Sequence, residues 1–150
     1  MDTTEVVAVK LDISEVVAKY GHYCDHHEWD SILDLFTDDA VFDASRVYDK
    51  VWSGKDELRD FYYNAPQQVV AHHPTSLFTE VHDGNSAVAQ AKMLVVWPRQ
   101  IFSVDYTWEF TRSGDRWLIK RQTIDVVGKA RFAEAAKPSE AARPSEAAKA

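Results

Sequence analysis

The chain has 150 residues, of which 45% are hydrophobic, 12% aromatic and 27% charged, with five Gly and five Pro; this fits one globular domain and excludes a two-domain enzyme and a disordered or fibrous chain. Seventeen basic residues against 24 acidic leave a net charge of −7, and five of the basic ones lie beyond residue 128, so the body is more acidic still and excludes a nucleic-acid backbone as partner. A single cysteine, Cys24, excludes a disulfide framework and suits a reducing compartment; with no apolar run of signal-peptide or membrane-span length, the expectation is a soluble, cytoplasmic protein with no membrane partner.

Residues 12–28 place Ile13, Val16, Val17, Tyr20 and Cys24 at helical spacing, with Asp12 as N-cap and Glu15 three residues on. A short second helix follows in DSILDLF, capped by Asp30, and then a short strand, Ala40 to Asp43. A third helix after SGK carries Leu58, Phe61 and Tyr62 on one side. From His72 the period changes to two, giving long strands over 72–82, 86–97, 101–111 and 116–127, with turns at Asp83-Gly84-Asn85 and Ser113-Gly114-Asp115. On the third of these, Phe102, Val104, Tyr106, Trp108 and Phe110 share one face and Ser103, Asp105, Thr107, Glu109 and Thr111 the other. Helices followed by an antiparallel meander make the class α+β. The domain is expected over residues 1–128. Residues 129–150 form a low-complexity tail, with EAAKPS, EAARPS and EAAKA in succession, whose prolines interrupt helix and whose side chains cannot supply a core.

Histidines stand at 22, 26, 27, 72, 73 and 82. His22 and His26 are four apart on one helix, but no metal signature accompanies them, and no metal or other cofactor is expected. Elbows, P-loops and dinucleotide fingerprints are absent from the sequence, so acyl, phosphoryl and hydride transfer lose their usual signals. What remains is an acid and an imidazole on different elements: Asp25, at the edge of the apolar stripe of the first helix, and His73, at the start of the first long strand. Gly21, one turn before Asp25, leaves space for something other than a side chain. A carboxylate there pairs well with an imidazole, fixing its tautomer and leaving the other nitrogen as a general base. The bland alternative is an exposed Asp25 beside His22 and a satisfied strand histidine. Arg121, on a strand face with Trp117, Ile119, Thr123 and Asp125, fits a substrate clamp or a structural pair with Asp125, Glu109 or Asp105. Tyr20 and Tyr23 share the helix of Asp25, and Tyr20 can aim its hydroxyl into a pocket or belong to the core.

The strings Y-x-x-Y-C-D-H-H-E-W-D, L-F-T-D-D-A-V-F-D, D-K-V-W-S-G-K-D-E-L, H-H and G-D-R-W-L-I-K-R resemble the nuclear-transport-factor-2-like superfamily. Within it they are most similar to the SnoaL-like branch that includes scytalone dehydratase and hexachlorocyclohexane dehydrochlorinase. The resemblance spans about residues 10 to 128 and implies a cone-shaped α+β barrel, N-terminal helices packed in a curved antiparallel sheet around a deep apolar pocket. It also implies a catalytic Asp25–His73 acid/base dyad, with Arg121, Tyr20, Tyr23, Trp52, Trp108 and Cys24 as substrate-binding candidates. The two tyrosines that hold the reacting water in scytalone dehydratase fall on Cys24 and Ala44, which argues against that substrate. The carboxylate base of ketosteroid isomerases falls on Ala44, beside Asp43, while Tyr20 matches their oxyanion tyrosine.

The functional expectation is a cofactor-free lyase, of dehydratase or dehydrohalogenase type, acting on a small, mostly apolar cyclic substrate. The alternatives are an isomerase or polyketide cyclase on the same scaffold, and a non-catalytic binding or assembly module. Relatives pair their sheets, so a homodimer or homotrimer is expected, with the aromatic face of the third long strand as its apolar surface.

Overall fold

The computed structural model describes residues 1–65 and 69–126; the expected domain boundary at 128 and the repeated tail lie outside the described residues. Helix α1 spans Thr3–Asp25 and α2 Trp29–Leu33; β1 (Phe36–Asp43), α3 (Ser45–Tyr48), β2 (Val51–Ser53) and α4 (Lys55–Asn64) follow. The remaining strands are β3 (Ala71–Val81), β4 (Ser86–Trp97), β5 (Gln100–Ser113) and β6 (Arg116–Asp125). No helix of the described residues is long and apolar enough to cross a membrane.

Helix α1 begins well before Asp12 because the sequence D-x-x-E at its very start is a capping box. Asp2 Oδ1 accepts the Glu5 N–H at 2.9 Å and Glu5 Oε2 accepts the Asp2 N–H at 2.7 Å. Asp12 is therefore an exposed mid-helix residue. The buried stripe runs Val9, Ile13, Val17, Tyr20, Gly21 and Cys24, a helical period that lays one face of α1 on the sheet.

Six strands form one curved sheet in the order β2-β1-β6-β5-β4-β3, and it does not close into a barrel. Neighbours joined by short turns are antiparallel, as turn geometry demands; Asp83 Oδ1, for example, accepts the Asn85 and Ser86 N–H groups at 2.7 Å each in the β3–β4 turn. β1 and β6 have the whole remaining chain between them and pair in parallel, so the sheet is mixed rather than antiparallel throughout. The aromatic face of β5 is turned inward: Val104, Tyr106, Trp108 and Phe110 are buried, Trp108 completely. It belongs to the core and cannot serve as the apolar surface expected for oligomerisation.

Two β-bulges decide which side chains face the core. In β3 the register shifts between Thr75 and Phe78, with Ser76 at φ 52°. His72 and Pro74 thus face inward before the bulge and Leu77, Thr79 and Val81 after it, while His73 is exposed. In β6 the shift opposite Glu109 and Phe110 changes the inward series from Trp117 and Ile119 to Gln122 and Ile124.

Helix α1 meets β3 at Gly21. A Cβ there would stand 3.3 Å from the His72 carbonyl oxygen and 3.7 Å from Pro74 Cδ, so the space beside Gly21 is filled by strand backbone. Gly21→Val is expected to force the two apart and cost about 1–3 kcal/mol of unfolding free energy, checked by denaturant titration; wild-type stability in that variant would contradict the close packing.

Candidate active site

Asp25 lies one turn after Gly21 and reaches the same point of β3. Its Oδ1 accepts the His72 backbone N–H at 2.9 Å and the His72 Nδ1–H at 2.8 Å, and its Oδ2 accepts the same backbone N–H at 3.1 Å. The side chains are only 13% (His72) and 20% (Asp25) exposed. A carboxylate offers no donor, so Nδ1 carries the hydrogen and Nε2 keeps its lone pair. No partner of Nε2 exists among the described residues. Burial pulls the His72 pKa below its ordinary 6.5, and the hydrogen bond and charge of Asp25 only partly offset this. The imidazole is therefore neutral at neutral pH. The histidine paired with Asp25 is thus His72 and not the expected His73; the extra residue of the β3 bulge moves the inward position by one.

His72 lines a cavity of about 500 Å³. Its walls are aromatic: Tyr20 and Cys24 from α1, Trp29 from α2, Phe42 from β1, Trp52 from β2, Phe61 and Tyr62 from α4, and Tyr106 from β5. The rings pack in series, with His27 stacked on Trp29 at 4.8 Å, Trp29 on Tyr62 at 5.9 Å and Trp52 against Phe61 at 4.3 Å between centroids. Lys50, Asp60 and Asn64 add polar groups. Of the expected substrate-binding residues, Tyr20, Cys24 and Trp52 line this cavity. Tyr23 faces a separate surface depression with Lys19 and Arg116.

Behind the cavity a buried hydrogen-bond chain holds Tyr20. The Trp108 indole, a donor only, gives its hydrogen to Gln122 Oε1 at 2.8 Å. That fixes the amide, whose Nε2 donates to the Tyr20 hydroxyl at 3.0 Å. One Tyr20 lone pair is thus occupied, and its hydroxyl stands 3.3 Å from that of Tyr62 and within hydrogen-bonding reach of the Cys24 thiol and the Tyr106 phenol. Trp108 acts from behind the wall and does not line the cavity. Burial drives the Tyr20, Tyr62 and Tyr106 phenols well above their usual range and the Cys24 thiol up to about 12. All four are neutral at working pH, serving as hydrogen-bond donors rather than bases or nucleophiles.

Arg121 does not enter the cavity. The β6 bulge turns it to the other side of the sheet, where its Nη2 donates to Asp43 Oδ2 at 2.6 Å; it is a structural pair with Asp43, not a clamp. His22 and His26 stack at 6.3 Å between centroids, and no metal-holding cluster occurs among the described residues. Sequence reasoning missed His72, Tyr62 and Gln122. The visible signal was the pair of adjacent histidines, of which a strand can present only one to the helix.

The chain belongs to the SnoaL-like domain family, whose model matches residues 5–123. A candidate aromatic ring hydroxylase from Novosphingobium aromaticivorans is 27% identical with a TM-score of 0.69, over 78% of this chain and 87% of that one. A candidate scytalone dehydratase from the same organism is 13% identical, TM-score 0.71, over 83% and 88%. A hexachlorocyclohexane dehydrochlorinase from Novosphingobium barchaimii is 16% identical, TM-score 0.69, over 84% and 91%. The last two are likenesses of fold. No curated protein matches the sequence.

The thiol's chemistry is directly checkable: Cys24 is expected to resist thiolate-directed reagents at pH 7–8 in the native protein and to react promptly once unfolded. Native-state labelling at the rate of a free thiol would contradict its burial.

Proposed function

We propose that the chain is a cofactor-free lyase that removes water or hydrogen halide from a small, mostly apolar cyclic substrate, with His72 as the base. The observation that carries this is the His72 imidazole, neutral, held at Nδ1 by Asp25 and set in an aromatic-walled cavity. Nε2 takes a proton from the carbon adjacent to the one that bears the leaving group, and the C–H electron pair becomes the new π bond between these two carbons. The leaving group departs with its own bonding pair, accepting a hydrogen bond from the neutral phenols of the wall. The imidazolium, stabilised by Asp25, then gives its proton to the departing hydroxide, or to solvent when halide leaves. Neighbours on the same fold that are named for dehydration and dehydrochlorination support the reaction class, and the neighbour named for aromatic rings supports a cyclic substrate.

The Trp108–Gln122–Tyr20 chain favours a second reading, isomerisation or cyclisation, because it would hold an enolate oxygen equally well. There the proton returns to another atom and the product keeps the substrate's mass.

The test is a panel of cyclic alcohols and halides followed by mass spectrometry. His72→Gln should lower turnover about 100- to 10,000-fold, while exposed His73→Gln leaves it within about twofold, as for a surface substitution; normal turnover in His72→Gln sinks the mechanism. The base works only while neutral, so kcat/KM should fall as pH drops, with its acid limb below 6.5. Asp25 is what raises the His72 pKa against burial, so Asp25→Asn should lower turnover and move that limb to still lower pH. A limb that stays in place or rises would exclude Asp25 as the partner.

A further inference from the structure

Lys50 is the one lysine or arginine among the described residues that line the cavity. It follows Asp49, whose left-handed backbone (φ 55°) turns the chain into β2, and its carbonyl accepts the Ala44 N–H at 3.0 Å. The main chain is fixed there. The side chain lies over Trp52, with Nζ 5.1 Å from the indole centroid. Trp52 is itself buried and stacked on Phe42 at 5.2 Å. Among the described residues Lys19, Lys55 and Lys92 each have a carboxylate partner, whereas Lys10, Lys50 and Lys120 have none, and of these three Lys50 alone lines the cavity. Asp60, the one carboxylate on the lining, has Oδ1 occupied by the Asn64 amide at 2.7 Å. The lining of a chain of net charge −7 thus carries two charged groups, the Asp60 carboxylate on α4 and the Lys50 ammonium steadied by an indole face, with no ion pair between them.

We propose that Lys50 anchors a single negative charge on the guest, so that the cavity takes a monoanionic ring compound, such as a cyclic carboxylic acid, in preference to a neutral one. This rests on the elimination reading only in treating that guest as substrate. Lys50 is exposed as well as lining the cavity, so its pull on a guest's anion is weakened by salt, while the guest's rings gain the aromatic walls. Lys50 leads β2 and His72 stands on β3, the two opposite edges of the sheet. The anchored charge and the C–H that loses its proton are accordingly served by separate elements.

The test uses two fluorescent probes of the same ring framework, anilinonaphthalene sulfonate and neutral N-phenyl naphthylamine, titrated into the full chain. Lys50→Met should weaken the sulfonate about fivefold or more, Lys50→Arg should restore most of it, and the neutral probe should bind all three proteins alike. Added salt should weaken the sulfonate on the wild type and spare Lys50→Met. The proposal is overturned if the sulfonate fails to bind the wild type, if Lys50→Met leaves it unchanged, or if both probes weaken together. His72→Gln separates the two claims: the sulfonate preference should persist in it. Loss of the Lys50 effect with His72-dependent turnover intact would discard the anion anchor alone.

Discussion

Everything in the site depends on how closely helix α1 approaches strand β3. Gly21 permits it, since any side chain at that position would meet the His72 carbonyl. One turn on, Asp25 spends its carboxylate on the backbone and the imidazole of that same residue. A carboxylate only 20% exposed is costly unless its oxygens are satisfied, and these bonds satisfy them while fixing the ring in one tautomer. The pair joins helix to sheet and fixes the imidazole with Nε2 bare, and neither can be removed without disturbing the other.

The rest of the fold determines what surrounds that imidazole. A sheet that curves without closing leaves room between its inner face and helices α1, α2 and α4. The large side chains that would fill a solid core are instead arranged as the walls of a cavity. Burial in those walls acts on every titratable group in one sense, disfavouring charge. It holds the phenols and the thiol protonated and the imidazole unprotonated. For His72 burial outweighs the attraction of Asp25, so the imidazole stays neutral below the usual histidine range.

The fold was legible in the amino-acid sequence because period and turn chemistry carry it: helical spacing up to Cys24, then alternation broken by Asp-Gly-Asn and Ser-Gly-Asp. The parallel β1–β6 pairing was not, since no local turn records it. The start of α1 was written in Asp2 and Glu5, but a periodic apolar stripe read only from Ile13 on puts the cap at Asp12. Asp25 pairs with a histidine of β3, and Tyr20, Cys24 and Trp52 line the cavity that this histidine borders. Of the expected residues that lie away from the cavity, which include Tyr23 and Trp108, His73 and Arg121 stand on strands with a bulge, where one extra residue exchanges the faces. Period-two reasoning carries no record of such a residue unless something marks it, and Ser76 in the left-handed region is not a type that announces one.

The measurement that bears most directly on this account is a nitrogen-detected NMR titration of the imidazoles, with His72→Gln used to assign the His72 signals. A ring protonated at Nδ1, with a bare Nε2 and a titration midpoint below 6.5, is the predicted result. A ring protonated at Nε2 would mean that Asp25 does not hold His72 as described, and a midpoint at or above 6.5 would mean that burial does not outweigh Asp25; either result contradicts the account.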